Sequence, residues 1–164
     1  MKLQTISTPL GAMIAHWTAA GLHSFQFLRE GQPRNGISVQ RDEFDFDLAG
    51  EVEDYFRTGK IDVPMTLLDW SGVPDFHRRV LQLCSKIPSG MTVSYGDLAR
   101  QAGNPRAARA VGTAMARNRW PLIIPCHRVV GSTGKLTGYS GIGGIETKRA
   151  LLGLEKEANC LVAV

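Results

Sequence analysis

Short hydrophobic runs over the beginning of the chain follow a pattern that is typical of strands. The runs lie at 3–7, 12–18 and 22–28, and the breaks between them contain glycine or proline and suit tight turns. We therefore predict three short strands in an antiparallel meander. A loop is expected after them, at 31–36, where glycine, proline and polar residues cluster.

After this loop, hydrophobic residues recur at the spacing of a helix. A helix is expected from Asp45 or Asp47 to Thr58, because hydrophobic residues there recur at i, i+4, i+7 and i+8. Gly59 would end it. Its hydrophobic positions are Leu48, Val52, Tyr55 and Phe56. Residues 60–74 have no clear period and contain two prolines, which indicates a connector.

Two further helices are predicted at the two ends of the second half. Asp75 is expected to cap the first, whose hydrophobic face holds Phe76, Val80, Leu83 and Cys84. The second is expected from Ile145 to Glu157. Lys148 and Glu155 lie seven residues apart and therefore project from the same side of it. For such charges, a solvated helix face is the ordinary interpretation.

A pair of short helices between them resembles a helix-turn-helix. Ser94 and Asp97 form a capping pattern that starts the first helix, which would end at Gly103. Asn104 is expected to cap the second, which would run over residues 106–117 with Val111, Ala114 and Met115 as its apolar stripe. Two helices joined by so tight a turn predict a helix-turn-helix, although many such pairs bind no DNA.

The second of these helices combines positive charge with small side chains. Arg106 and Arg109 lie three apart and would share a face. Small residues would let the helix backbone approach a nucleic-acid groove; they are Ala107, Ala108, Ala110 and Gly112. The alternative is that alanine occurs there because it favours helices.

Charge is distributed unevenly along the 164 residues. Residues 1–75 hold six Lys or Arg and eleven Asp or Glu, whereas residues 76–164 hold thirteen and four, so the formal charges are −5 and +9. A basic half favours a nucleic acid or a membrane surface as a partner. A solvated surface of scattered charges explains it equally well. No hydrophobic run approaches the length of a membrane helix, and no signal peptide is recognised at the N-terminus.

The three cysteines, Cys84, Cys126 and Cys160, form no Cys-x-x-Cys pair. Their odd number and the lack of such a pair argue against a disulfide framework and a structural zinc site, and a reducing, cytoplasmic location is expected. We also predict no metal. Cys84 is expected in the core.

Cys126 and His127 follow a hydrophobic run that is bracketed by Pro121 and Pro125. We predict a short, buried, extended segment there. Neighbouring side chains of an extended strand point to opposite faces. His127 would therefore accept the thiol proton only if the backbone turns or a water bridges the two. A buried hydrophobic thiol and a structural imidazole are the alternatives.

Several ordered motifs resemble the O6-alkylguanine-DNA alkyltransferase family. Asn118 stands eight residues before Cys126, as in the family, and the other matching segments are 87–99, 108–112, Pro125–Val129 (PCHRV), 138–139 and 148–155. The resemblance is strong over about 74–157. It implies an α/β (α+β) fold, with an RNase H-like domain of antiparallel sheet and helix at 1–73. A mainly helical, winged-helix-like domain with the helix-turn-helix would follow at 74–164.

The resemblance also implies an activity. The chain would transfer the alkyl group of O6-alkylguanine, and of O4-alkylthymine, to its own Cys126 after base flipping, irreversibly and once per molecule. The partner would be double-stranded DNA, bound in the minor groove without strong sequence preference by a monomer that needs no cofactor.

The matched motifs imply a role for each site residue. Cys126 would be the acceptor, His127 its base, and Glu155 the group that orients His127. Tyr95 would donate a hydrogen bond to the leaving guanine, Lys148 would polarise its O6 side, and Asn118 would brace the turn before Cys126.

DNA contacts and the alkyl pocket are carried over in the same way. Arg109 would fill the gap left by the flipped base. The remaining DNA contacts would be Tyr95, Ser94, Arg106, Ala107, Ala108 and Gly112, and the alkyl pocket would be lined by Tyr139, Ser140 and Pro121. Arg119 and Trp120 stand where the family has proline, and we expect them to alter access to the site.

Three other functions remain as alternatives. A non-catalytic protein that binds alkyl lesions would lack the acceptor cysteine. A helix-turn-helix regulator would need base-reading polar side chains, which the alanine-rich helix offers sparsely. A cysteine hydrolase would turn over many times.

Overall fold

The computed structural model describes residues 2–28, 46–139 and 143–162. Its N-terminal part is a three-stranded antiparallel sheet in the order β1-β2-β3, formed by Lys2–Thr8, Gly11–Thr18 and Gly21–Phe27. The predicted meander is confirmed. Met13, Ala15 and Trp17 alternate along the buried face of β2, as the two-residue period of a strand requires. The loop expected at 31–36 lies outside the described residues.

Helix α1 (Leu48–Thr58) begins and ends where its capping residues predict. The Asp47 side chain accepts a hydrogen bond from the backbone N–H of Gly50, and Gly59 adopts a φ of +71° at the C-cap. The predicted hydrophobic positions Leu48, Val52 and Tyr55 are buried. The following connector contains a short 3₁₀ turn at Met65–Leu67, and Leu68 makes a bridge to Leu22 of β3.

The second part is mainly helical, and its order is α2, β4, α3, α4, β5 and α5. These elements are Asp75–Cys84, Val93–Ser94, Tyr95–Gln101, Ala108–Ala116, Val129–Val130 and Ile145–Val162. Strands β4 and β5 pair in parallel. Cys84 is fully buried, as expected. Buried side chains from both parts form one continuous core. The mixed α/β fold predicted from the sequence is confirmed.

Helix starts were predicted with mixed success. Ser94 caps α3 as expected, by accepting a hydrogen bond from the N–H of Asp97. Asp75, however, is the first residue of α2, and the N-cap position is occupied by Pro74, which makes no side-chain capping hydrogen bond. Helix α4 begins at Ala108 rather than at Arg106. Asn104 instead closes a turn. Its side-chain oxygen accepts the N–H of Arg106, and its backbone carbonyl accepts the N–H of Ala107.

The prediction of an extended segment before Cys126 was wrong. Residues 121–125 are buried, but the chain turns there: the N–H of Ile124 bonds to the carbonyl of Trp120, and Leu122 has a φ of +73°. Such a backbone is costly for a residue with a side chain and persists only where the surroundings hold it. Helix α5 also continues beyond the predicted Glu157.

No helix in the described ranges is both long enough and apolar enough to span a membrane.

Candidate active site and nucleic-acid interface

A cavity of about 440 Å³ opens between the helix-turn-helix and the loop that precedes α5. Its lining residues are Tyr95, Gly112, Met115, Ala116, Cys126, Thr137, Gly138 and Tyr139. Cys126 is only 5% exposed, so its thiol lies at the inner end of this cavity. The volume falls in the range of small-molecule binding sites, which is enough for one nucleobase.

Asn118 organises the turn that carries Cys126 into the cavity. Its side-chain amide donates to the carbonyl of Ile124 over 2.8 Å, and its oxygen accepts the N–H of Trp120 over 2.9 Å. The N–H of Cys126 then bonds to that same Ile124 carbonyl. The bracing expected of Asn118 corresponds to these two hydrogen bonds.

The thiol of Cys126 is protonated in this environment. Burial raises its pKa, and the Asn118 side chain and the Lys148 charge only partly oppose that effect. Because the thiolate is the nucleophilic form of cysteine, any reaction of Cys126 requires a base to take its proton.

His127 is placed to be that base. Residues Cys126–Arg128 form a 3₁₀ turn, so the backbone does turn at this point. His127 is fully buried, and its Nε2 lies 2.7 Å from Oε1 of the equally buried Glu155. The carboxylate therefore holds a proton on Nε2, which leaves Nδ1 as an acceptor. Among the described residues, Nδ1 is buried and has no hydrogen-bond partner, which suits a water between it and the thiol.

Two further side chains donate to Glu155, and neither was predicted from the sequence. Arg128 donates to the carboxylate through Nε and Nη2, at 3.0 and 2.8 Å, and its Nη1 bonds to the carbonyl of Ile87. Tyr55 of α1 donates to Oε1 over 2.8 Å. Arg128 stands inside the PCHRV motif, which was a usable signal, whereas Tyr55 was assigned only to the core.

These contacts set the charges of the pair. Despite burial, hydrogen bonds from His127 and Arg128 lower the pKa of Glu155 to about 2, so its carboxylate is ionised. Burial lowers the pKa of His127, and the nearby Arg128 and Lys148 charges lower it further, against the opposing effect of Glu155. His127 is thus a neutral imidazole at neutral pH, as a base must be.

Lys148 is buried beside the cavity rather than solvated. Its Nζ donates to the carbonyls of Val129 and Thr137 over 2.6 and 3.0 Å, and it lies 5.8 Å from the centre of the Tyr95 ring. The hydroxyl of Tyr95 also donates to the Thr137 carbonyl, over 3.3 Å. Tyr95 lines the cavity, whereas Lys148 is buried next to Tyr95 and does not itself line the cavity.

The helix-turn-helix presents a small, positively charged surface beside the cavity mouth. Arg106 and Arg109 are exposed, and Ala107, Ala108 and Gly112 are half-buried. Because Arg106 precedes α4, the helical spacing predicted to align it with Arg109 does not apply. The Ser94 hydroxyl is engaged with Asp97 in the cap of α3.

The alkyl-pocket residues are placed differently from one another. Tyr139 lines the cavity, and its buried hydroxyl has no hydrogen-bond partner in the part of the chain that is described. Pro121 is buried but is not among the lining residues, because the turn at 121–125 directs it elsewhere. Ser140 lies outside the described residues.

Arg119 and Trp120 do not line the cavity either, which corrects the expectation that they alter access to it. The fully buried Trp120 donates through its indole N–H to the carbonyl of Leu22, and its ring packs 4.8 Å from that of Trp70. The Arg119 carbonyl accepts the N–H of Phe25. These residues attach the active-site turn to the N-terminal sheet.

A metal site is not formed by the described residues, which contain no group of three or more His, Cys, Asp or Glu side chains suited to hold an ion.

Comparison with known proteins identifies the family. Residues 75–157 match the model of the 6-O-methylguanine DNA methyltransferase DNA-binding domain. A methylated-DNA–protein-cysteine methyltransferase of Mycobacterium tuberculosis is 39% identical over 153 residues, which are 93% of this chain and 91% of that protein. One from Methanosarcina barkeri is 38% identical over 159 residues, covering 95% and 98%.

The fold agrees with this match. The crystal structure of Mycobacterium tuberculosis OGT in complex with DNA superposes with a TM-score of 0.76 at 37% identity, over 96% of this chain and 94% of that one. Similarity of this extent in both sequence and fold is decisive: the chain belongs to the methylated-DNA–protein-cysteine methyltransferase family.

Proposed function

We propose that this protein repairs DNA by moving the alkyl group of O6-alkylguanine to its own Cys126, once per molecule. One observation carries the proposal: a buried thiol at the inner end of a base-sized cavity stands next to a buried, neutral His127 paired with Glu155. Family membership supports it, since the named relatives are methylated-DNA–protein-cysteine methyltransferases.

The reaction is a single displacement. The Cys126 thiol gives its proton to Nδ1 of His127 through a bridging water, and the sulfur attacks the alkyl carbon. The S–C bond forms as the C–O6 bond breaks, and the bonding electrons leave with the guanine. The proton taken from the thiol balances the one that the guanine must gain. Tyr95, on the cavity wall, and Lys148, buried next to it and bonded to the same Thr137 carbonyl, stabilise the charge that develops on the departing base.

Access to Cys126 requires the target base to leave the helix. A thiol that is 5% exposed cannot reach an atom inside a base stack, and extruding the base costs a few kcal/mol. We propose that α4 lies in the minor groove, where Gly112 and the neighbouring alanines permit close approach, and that Arg109 fills the vacated space. The exposed arginines also bind phosphates without regard to sequence. The same cavity would accept O4-alkylthymine.

The thioether that forms resists hydrolysis, so each molecule reacts once. The test is a titration with a duplex carrying O6-[³H-methyl]guanine. We expect label on the protein to rise to one equivalent and then stop. Labelled products that exceed the protein would contradict single use and indicate a hydrolase.

Binding and transfer are separable in the Cys126→Ser variant. We expect it to bind the lesion duplex as tightly as the unmodified protein, within about twofold, and to take up no label, because only the nucleophilic atom has changed. Cys84→Ser, at a fully buried thiol that does not line the cavity, is the matched control and should transfer normally. Transfer by Cys126→Ser would overturn the assignment of the acceptor.

A further inference from the structure

Tyr55 joins the catalytic pair from a distant part of the chain. It lies on α1, a hundred residues before Glu155, and is fully buried. Its hydroxyl donates to Oε1 of Glu155 over 2.8 Å and lies 3.3 Å from Nε2 of His127. Its ring stands edge-on to the imidazole, with centroids 6.4 Å apart. One phenol thus contacts both partners of the His127–Glu155 pair.

The approach of α1 to α5 holds Tyr55 in this position. Gly59, one turn after Tyr55, has a positive φ, and a Cβ added to it would lie 3.4 Å from the Cα of Glu155. Phe56 packs edge-on against the Tyr55 ring at 5.3 Å. A tyrosine so confined has little freedom to take another partner, and a buried hydroxyl needs one.

The Tyr55 hydroxyl can only act as a donor to Glu155. Burial and the neighbouring carboxylate raise the pKa of Tyr55 far above its ordinary value, so the phenol keeps its proton. A donor on Oε1 draws negative charge away from the oxygen that faces Nε2. With less charge there, Glu155 orients the imidazole while stabilising its protonated form less.

We propose that Tyr55 is a positioning residue for alkyl transfer: its hydroxyl restrains and partly neutralises Glu155 so that His127 stays an unprotonated base. The inference rests on the proposed function, because it gives the N-terminal half a part in the same reaction. His127 faces charged or titratable groups from three elements. They are Tyr55 on α1, Cys126 and Arg128 on its own turn, and Lys148 and Glu155 on α5.

Tyr55→Phe removes the hydroxyl and keeps the ring. With one donor lost, Glu155 holds the protonated imidazole more firmly, and the acid limb of the pH–rate profile for transfer moves to higher pH. We expect the single-turnover rate to fall roughly 3- to 10-fold at pH 6 and to stay within about twofold at pH 8. Affinity for the lesion duplex should not change.

Phe56→Leu is the control for packing. It disturbs the same helix and the same ring contact but removes no hydrogen bond. We expect it to lower the melting temperature and to leave the pH–rate profile in place. An equal shift in both variants, or none in Tyr55→Phe, would overturn the positioning role.

A spectroscopic measurement keeps this test separate from the proposed function. The chain has four histidines, so the ¹⁵N signals of the His127 ring can be assigned and titrated. We expect a neutral Nε2–H tautomer in the unmodified protein and a higher titration midpoint in Tyr55→Phe. An unchanged or lower midpoint would contradict the inference. If the unmodified protein transfers no alkyl group, the proposed function fails. This titration still decides whether the Tyr55 hydroxyl keeps His127 unprotonated.

Discussion

At the scale of single residues, the site depends on Glu155, whose carboxylate is ionised although it is buried. Glu155 is fully buried and accepts hydrogen bonds from His127, Arg128, Tyr55 and the N–H of Gly90. A charge taken out of water is tolerated only with such partners. Arg128 is the only one of them with a full formal charge, so the folding of this buried site depends on it.

Replacing Arg128 by methionine tests this dependence. The variant leaves Glu155 buried without its counter-charge, so we expect the free energy of unfolding to fall by about 3–5 kcal/mol. Arg149→Met is the matched control, because Arg149 pairs with Glu146 on the surface of α5, where both side chains are largely exposed. That loss should stay below about 1 kcal/mol. Urea unfolding measures both, and equal losses would contradict this account of the site.

At the scale of elements, the surface of α4 is suited to contact rather than to its own stability. Gly112 stands in the middle of this helix and lines the cavity, and a Cβ added there would meet nothing within 4 Å. Glycine inside a helix is destabilising relative to alanine. Since a Cβ would fit at this position, we explain the glycine by a partner that approaches the helix from outside. We propose that this partner is the minor groove with its flipped base.

Gly112→Ala should therefore make the protein more stable and a poorer binder. We expect the unfolding free energy to rise by about 0.5–1 kcal/mol, while the affinity for a lesion duplex falls. Gly153→Ala on α5, which is equally unobstructed, provides the control and should gain stability alone. Fluorescence anisotropy with a labelled duplex measures binding. Unchanged affinity in Gly112→Ala would place α4 away from the DNA.

The sequence predicted the elements whose signals are local. Ser94 caps its own helix and Gly59 ends α1, so these boundaries followed from the residues themselves. The turn before Cys126 did not, because Leu122 holds a positive φ that the surrounding packing imposes. The likeness to a family located Cys126 and His127. Tyr55 was beyond prediction, because a buried hydrophobic position on a helix looks the same whether or not its hydroxyl meets a carboxylate far along the chain.

At the scale of the whole molecule, the two halves differ in charge and meet at the active site. The acidic N-terminal half contributes Tyr55 to the His127–Glu155 pair and the Leu22 and Phe25 backbone to the anchoring of the Cys126 turn. The basic half contributes the thiol, its base and the exposed arginines of the helix-turn-helix. The net charge of +4 is therefore the sum of −5 from the half that supports the site and +9 from the half that holds the DNA-binding domain.

The buried groups also set the stability of the molecule in acid. His127 has a lowered pKa, so below about pH 6.5 the unfolded chain binds a proton that the folded chain does not, and stability falls. Glu155, with its pKa of about 2, contributes stability above pH 4.5 that is lost as the pH falls towards 2. We expect the melting temperature to drop steadily from pH 7 to pH 3 in calorimetry.

Glu155→Gln removes the contribution of the Glu155 carboxylate to stability. The melting temperature of this variant should be lower at pH 7 but depend less on pH between about 4.5 and 3. A melting temperature that rises on acidification, or an unchanged slope in this variant, would contradict the assigned charges.

Peptide mass measurement shows directly which sulfur receives the alkyl group. Trypsin places Cys84, Cys126 and Cys160 in three different peptides, because Lys or Arg residues separate them. After incubation with an O6-methylguanine duplex, we predict one added methyl group on the peptide that begins at Trp120 and ends at Arg128, with unmodified guanine restored in the DNA. A methyl group on either other cysteine, or repaired DNA with no methylated peptide, would show that Cys126 is not the acceptor.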